Sequence, residues 1–251
     1  MGIEIVAEIG INHNGSMALA QSMIWRAKEC GADVAKFQIY DPEWLLDQNH
    51  PDLRDHWDII LKTKLTRDQV IMLKKECDRA GIEFLASVFR PEIVEWTEAI
   101  GMKRYKIASR SIYDKPLAEA IIATGKPVIL SYGMSKAGQI PAIFDCGISS
   151  SLVTNLYCIS KYPTKLEDLL FIDRMGSVFD DYGMDGFSDH TEGITASVTA
   201  MSLGAKVIEK HVTYDKTFDG PDHASSITFN ELRQLCNMRD EIEKVLYKEK
   251  L

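Results

Sequence analysis

Short runs of β-branched and apolar residues alternate along this chain with longer segments whose apolar positions recur every three or four residues. The first run, Ile3 to Ile9, is a strand broken by Glu4 and Glu8, and it leads into the loop GINHNG at Gly10 to Gly15. Ser16 then caps a helix to about Cys30, and Gly31 stops it. The unit repeats. A strand at Val34 to Ile39 is followed by an aromatic loop around Trp44 and Trp57 and a helix from the Thr66 cap to Ala80. A strand at Glu83 to Val88 precedes a helix opened by Pro91, a favoured first-turn residue. Strands at Tyr105 to Ser109, Val128 to Ser131 and Asn155 to Ser160 precede helices at Lys115 to Thr124, Gln139 to Cys146 and Leu166 to Phe179. The last two strands, Met184 to Asp189 and Val207 to Val212, precede helices at Gly193 to Leu203 and from Phe229 to the C-terminus.

Eight strand–helix units with no linker or low-complexity segment predict an α/β protein with a parallel sheet covered by helices. Eight units close a single-domain (β/α)8 TIM barrel over residues 1–251, a length typical of that fold. An open doubly wound sheet is the alternative, but GINHNG lacks the GxGxxG spacing of its dinucleotide-binding members. The barrel also accounts for the polar residues. They fall near the C-terminal strand ends, where barrel enzymes keep their chemistry.

Composition adds mainly exclusions. With 45% hydrophobic and 26% charged residues the chain has material for a sizeable core. A net charge of −8, without a basic block, argues against nucleic acid as a partner. The five cysteines are scattered, with no CxxC pair, which argues against a disulfide framework or structural zinc. No stretch reaches membrane-spanning length, and the N-terminus enters a strand without a signal-like segment. The expectation is a cytoplasmic protein without a membrane partner.

The candidate chemistry lies at strand ends. His190 and His211 end consecutive strands, and Glu209 shares a strand face with His211. A single strand-end histidine is more often structural than a ligand. Two of them beside carboxylates suit a divalent ion such as Mn, Co, Fe or Zn. Lys36 and Lys106 sit inside apolar strands, with Gln38 on the face of Lys36. Such lysines either snorkel or pair with a carboxylate such as Glu8, or they bind an anion with Ser109, Ser131 and Ser188. A Schiff-base lysine is the competing chemistry. Glu8, Glu209 and Asp222 are candidate acids and bases. Asn12, His13 and Asn14 are either turn formers or hydrogen-bonders for a polyhydroxylated substrate. These residue types point to a metal-assisted reaction that joins or cleaves a phosphorylated or carboxylated small molecule.

The segments AEIGINHNG (Ala7 to Gly15), VAKFQ (Val34 to Gln38), YKIAS (Tyr105 to Ser109), ILSYGM (Ile129 to Met134), YPT (Tyr162 to Thr164), GFSDHT (Gly186 to Thr191), EKHVT (Glu209 to Thr213) and GPDH (Gly220 to His223) span the chain in order. Together they resemble the sialic acid synthase family. The resemblance implies a (β/α)8 barrel that condenses phosphoenolpyruvate with N-acetylmannosamine or a related amino-sugar aldehyde, giving a nonulosonate and phosphate. It implies a divalent cofactor, Mn2+ first and Mg2+ or Co2+ as alternatives, on His190 and His211. Glu8, Glu209 and Asp222 then match the carboxylates around metal and sugar. Lys36, Lys106, Ser109, Ser131 and Ser188 match the phosphoenolpyruvate pocket, with Gln38, Ser160, Tyr162, Asn12 and Asn14 as further substrate contacts.

Three departures stand out. Ser111 occupies the place of a glutamate, Ser160 (followed by Lys161) occupies a place where asparagine is common, and the antifreeze-like domain usual after the barrel is not expected. A homodimer, or a partner protein in place of that domain, is the corresponding expectation. The competing readings are a non-catalytic phosphosugar-binding barrel that lost its base at Ser111, and a metal-dependent keto-acid aldolase.

Overall fold

The inward-facing positions of the strands explain both the barrel and its mouth. In a computed structural model, which describes residues 2–43, 56–173, 176–179 and 183–246, eight parallel strands close a barrel. They are β1 (Glu4–Gly10), β2 (Val34–Ile39), β3 (Glu83–Val88), β4 (Tyr105–Ile107), β5 (Val128–Ser131), β6 (Val153–Cys158), β9 (Gly186–Asp189) and β10 (Val207–Thr213). The sheet closes because β10 pairs with β1, from Glu4 opposite Val207 to Glu8 opposite His211. One apolar cluster, Val6, Val34, Leu85, Ile129, Leu156 and Val207, fills the barrel interior. Two residues further along the same strands, the same face carries Glu8, Lys36, Ser87, Ser131, Cys158 and Glu209. A period of two thus turns an apolar floor into a polar layer above it. Gly186 belongs to the floor. A Cβ there would lie 2.8 Å from Leu156 Cδ2 and 2.9 Å from Val207 Cβ, so only glycine lets β9 close against its neighbours.

The outer layer comprises α1 (Met17–Cys30), α2 (Trp57–Thr63), α3 (Arg67–Ala80), α4 (Pro91–Ala99), α5 (Lys115–Ala123), α6 (Ala142–Asp145), α7 (Thr195–Ser202) and α8 (Phe229–Leu246). The main core lies between these helices and the outward faces of the strands. The expected caps form. Ser16 Oγ accepts the Leu19 N–H at 3.2 Å, and Thr66 with Gln69 makes a capping box ahead of α3. None of the described helices is long and apolar enough to cross a membrane.

Among the described residues, one expected helix is absent. The described residues of the expected segment form a 3-10 turn at Leu166–Asp168 and a small antiparallel pair, β7 (Ile172–Asp173) and β8 (Gly176–Ser177). Phe171 packs edge-on to Tyr157 and Phe187 at 5.8 and 5.0 Å, and Phe179 lies 5.5 Å from Phe171. These aromatic contacts override a helical pattern that had no N-cap to secure it. Other boundaries shift. β4 ends at Ile107 because a 3-10 turn starts at Ser109, β6 runs two residues earlier than expected, and α6 is one turn. The short strand β11 (Ile227–Thr228), paired to β10, and the helix α2 were not expected from the pattern. Trp57 begins α2, whereas Trp44 lies outside the described residues.

Candidate active site at the barrel mouth

The polar layer opens into a cavity of about 530 Å3 at the C-terminal ends of the strands. Its floor is an alternating charge cluster. Lys36 Nζ lies 2.8 Å from Glu8 Oε2, 3.5 Å from Glu209 Oε2 and 2.9 Å from Ser87 Oγ. Lys106 Nζ lies 3.8 Å from Glu209 Oε1 and 2.7 Å from Ser131 Oγ. Ser188 donates to Glu209 Oε1 at 2.9 Å, and Gln38 Nε2 donates to Glu8 Oε1 at 2.9 Å. All four charged side chains are buried, so each depends on its neighbours to remain charged.

The two acids differ in consequence. Burial resists charge on Glu209, but Lys106 and Lys36 overcome it and hold the carboxyl at a pKa of about 2. On Glu8, burial outweighs Lys36 and raises the pKa. Glu209 is therefore a fixed anion, whereas Glu8 takes a proton more readily. Burial also lowers the pKa of Lys106. Lys36 goes the other way, because Glu209 and Glu8 outweigh its burial.

The histidines lie on the other side of this floor, with ring centroids 5.7 Å apart. Burial holds His211 at a pKa of about 4, a neutral imidazole near neutral pH. Its Nδ1 is 3.5 Å from Asp222 Oδ2 and makes no hydrogen bond. His190 Nδ1 lies 2.8 Å from the Ile159 carbonyl, which can only accept, so the proton resides there. The remaining lone pair, on Nε2, faces the Tyr162 hydroxyl at 2.9 Å, and the Tyr162 ring stacks 4.0 Å from His190.

These donors fit a divalent ion in a limited sense. Two imidazoles in one mouth, one oriented by a backbone carbonyl and the other with an orphan buried nitrogen, have the character of an open site. Among the described residues, however, no cluster of three or more His, Cys, Asp or Glu could hold an ion. Substrate or water would have to complete the coordination.

Thirteen of the sequence-derived candidates line this one cavity: Glu8, Lys36, Gln38, Lys106, Ser109, Ser131, Ser160, Tyr162, Ser188, His190, Glu209, His211 and Asp222. Asn12 and Asn14 are not among the lining residues. Asn12 is buried, and its amide donates to the Val212 carbonyl and Ser226 Oγ, both at 2.8 Å. Asn14 bonds the Asp219 carbonyl at 3.2 Å and His223 Nε2 at 3.1 Å. Both tie the first loop to β10 and the segments after it, because a polar turn residue finds protein partners as easily as a substrate. Ser111 is buried and also lies outside the lining. Ser87 and Cys158 line the cavity without having been assigned a role from sequence, and Arg110 lines it as well. Ser87 was legible from its i, i+2 relation to Leu85, but serine type alone gave no reason to select it.

A model of the NeuB family matches residues 23–250. The chain belongs to the NeuB family. Relatives include an uncharacterized protein of Methanocaldococcus jannaschii, 37% identical over 96% of this chain and 71% of that protein. An N,N'-diacetyllegionaminic acid synthase of Legionella pneumophila is 32% identical over 96% of this chain and 72% of its own length. The N-acetylneuraminate-9-phosphate synthase of Homo sapiens is 33% identical, with coverage of 96% and 70%. The crystal structure of a sialic acid synthetase from Leptospira borgpetersenii, in complex with citrate, superposes with a TM-score of 0.86 at 30% identity, covering all of this chain and 87% of that one. NeuB family membership and the closed barrel thus agree with the expectation from the motifs.

Proposed function

We propose that the cavity condenses phosphoenolpyruvate with an N-acylated amino-sugar aldehyde, giving a nonulosonate-type 2-keto acid and inorganic phosphate. One observation carries this reading: two buried ammonium groups, Lys36 and Lys106, stand among serine hydroxyls beside two imidazoles in a single mouth. Lys106, with Ser109, Ser131 and Ser188, holds the phosphate, and Lys36 holds the enol end of the same molecule. The apolar wall of Ile11, Tyr40, Ile60 and Phe89 receives the N-acyl methyl. His190 and His211 would hold the divalent ion, Mn2+ or alternatively Mg2+ or Co2+, which supplies Lewis acidity toward the aldehyde oxygen.

The atoms balance as follows. C3 of phosphoenolpyruvate bonds to the aldehyde carbon, leaving positive charge at C2 and an alkoxide on the former aldehyde oxygen. Glu209, fixed as an anion, stabilises the C2 cation. Water adds to C2, and Glu8 relays its proton to the alkoxide. The C2–O bond to phosphorus then breaks, the C2 hydroxyl becomes the keto group, and its proton leaves with the phosphate. We further place this reaction in the cytoplasm, a reading supported by the five cysteines, all free.

The base-loss alternative is not favoured, since Glu8, Glu209 and Asp222 line the cavity as candidate acids and bases and Ser111 is not among its lining residues. The test is phosphate release from phosphoenolpyruvate with N-acyl hexosamines, with and without Mn2+, and product mass by mass spectrometry. Aldose-dependent and metal-dependent phosphate release is expected. Binding of phosphoenolpyruvate without turnover of any aldose would refute the reading, and pyruvate formed from a keto acid without phosphate would point to the aldolase.

A further inference from the structure

Three residues of the GINHNG and GPDH motifs, Asn12, Asn14 and His223, lie outside the cavity lining, yet the fold gathers them around a loop that reaches it. This loop, residues 214–226, joins β10 to β11 and contributes Pro221 and Asp222 to the mouth. Its outer part is mostly exposed, whereas His223, Ser225 and Ser226 on the returning arm are buried. The Asn14 amide nitrogen donates to the Asp219 carbonyl at 3.2 Å, which leaves the Asn14 oxygen to accept from His223 Nε2 at 3.1 Å. The ring proton therefore lies on Nε2, and Nδ1 accepts the Thr213 hydroxyl at 2.8 Å. Phe218 packs edge-on to the same ring at 5.6 Å. Gly220, at φ 148°, lies so close that a Cβ there would come within 3.0 Å of His223 Cδ2. One imidazole thus ties the end of β10, the first loop and the returning arm. Beside it the Ser225 and Ser226 hydroxyls donate to the Asp222 carbonyl at 3.1 and 2.6 Å, and the Asn12 amide secures Ser226.

We propose that His223 is a positioning residue, which clamps the 214–226 loop so that the Asp222 carboxylate stays against the His211 ring. The inference rests on the reading proposed above, in which His211 would hold the ion, and adds a residue that acts only through Asp222. Asp222 Oδ2 lies 3.5 Å from His211 Nδ1, at the edge of hydrogen-bonding reach, so a small displacement of the loop decides whether the pair forms. A carboxylate at Nδ1 keeps the proton there, orients the ring and leaves the Nε2 lone pair for a divalent ion. Thr213 and Asn14 are bonded by two different nitrogens of one ring, so an asparagine or glutamine amide in its place would reach only one of them. Because the outer part of the loop is exposed, losing the clamp loosens the loop and not the barrel.

The experiment compares wild type, His223→Ala, His223→Gln, Asp222→Ala and the double variant Asp222→Ala with His223→Ala. Calorimetry gives the Mn2+ and phosphoenolpyruvate affinities, phosphate release gives kcat, and melting curves are the folding control. His223→Ala is expected to weaken Mn2+ binding and lower kcat by about tenfold or more. Phosphoenolpyruvate affinity should not change, because Lys36 and Lys106 stand on β2 and β4, away from this loop. His223→Gln, which keeps the bond to Asn14, should recover part of both losses. Once Asp222→Ala has removed the carboxylate, His223→Ala should add nothing further. Equal losses in both backgrounds would show that His223 acts on the barrel at large and would overturn the proposal. An unchanged Mn2+ affinity, or a parallel loss of phosphoenolpyruvate binding, would overturn it too. If phosphate is released but the losses simply add, the reaction stands and the clamp falls. If no aldose releases phosphate, the reaction falls, and the Mn2+ affinities of the five proteins still decide the clamp.

Discussion

Behind the two histidines lies a buried ion pair, and removing half of it is the sharpest test of how the mouth is built. Asp189 and Lys210 precede His190 and His211 on β9 and β10, and alternation turns them outward, into the layer beneath α7. Both side chains are fully buried, with Nζ 3.0 Å from Asp189 Oδ1. Lys210 also donates to the Thr191 carbonyl. Asp189 accepts the Thr191 N–H and hydroxyl, both at 2.8 Å, and the Ser197 hydroxyl. Lys210→Met would leave a carboxylate without its counter-charge in a dry layer, at a cost of about 3–5 kcal/mol. The double variant Asp189→Asn with Lys210→Met removes the charge while the Asn oxygen still accepts from Thr191. It loses the lysine's bond to the Thr191 carbonyl, worth about 1 kcal/mol. The double variant should therefore be more stable than the single lysine variant, with a coupling on the order of 2–3 kcal/mol. Urea unfolding of wild type, both singles and the double measures this directly. A Lys210→Met variant within about 1 kcal/mol of wild type, or a double variant whose losses merely add, would refute the argument.

Three further outcomes are expected. Glu209→Gln removes the fixed anion between Lys36 and Lys106, so it should tighten phosphoenolpyruvate binding while lowering kcat by about 100-fold or more, read by calorimetry and phosphate release. Asn12→Ala breaks two buried hydrogen bonds outside the cavity lining, and melting curves should show a loss of about 1–3 kcal/mol without a change in the KM for phosphoenolpyruvate. Glu231 accepts the Thr228 N–H at 2.7 Å and Lys216 Nζ at 2.8 Å at the start of α8. Burial opposes its charge, but these partners lower its pKa. Its contribution is therefore complete above the ordinary carboxylate range and is lost as pH falls through the lowered value. Glu231→Gln should cost about 0.5–1 kcal/mol near neutral pH and less in acid, as measured by melts across pH.

Much of this molecule is local in origin and could be read along the chain. Short apolar runs mark the barrel strands, because a parallel strand buried on both faces needs apolar side chains on both. Ser16, Thr66, Gly31 and Gly81 mark helix ends, because orphan N–H and C=O groups require local partners. A lysine inside VAKF or YKIAS stands out because charge is costly in an apolar strand, and the histidines stand out by their place at strand ends.

What the chain order does not contain is which of these groups meet. Glu8 lies beside His211 only because β1 and β10 close the barrel, and the pKa difference between Glu8 and Glu209 exists only once Lys36 is set between them and Lys106 beside Glu209. The lost helix at 166–179 and the redirected Asn12 have the same cause. An aromatic cluster and a β10 carbonyl, both remote in sequence, offered better partners than local propensity or solvent did. Hydrophobic period and capping act within a few residues, so the sequence alone determined the elements. Charge pairing and packing act through space, so the tertiary structure decided the site.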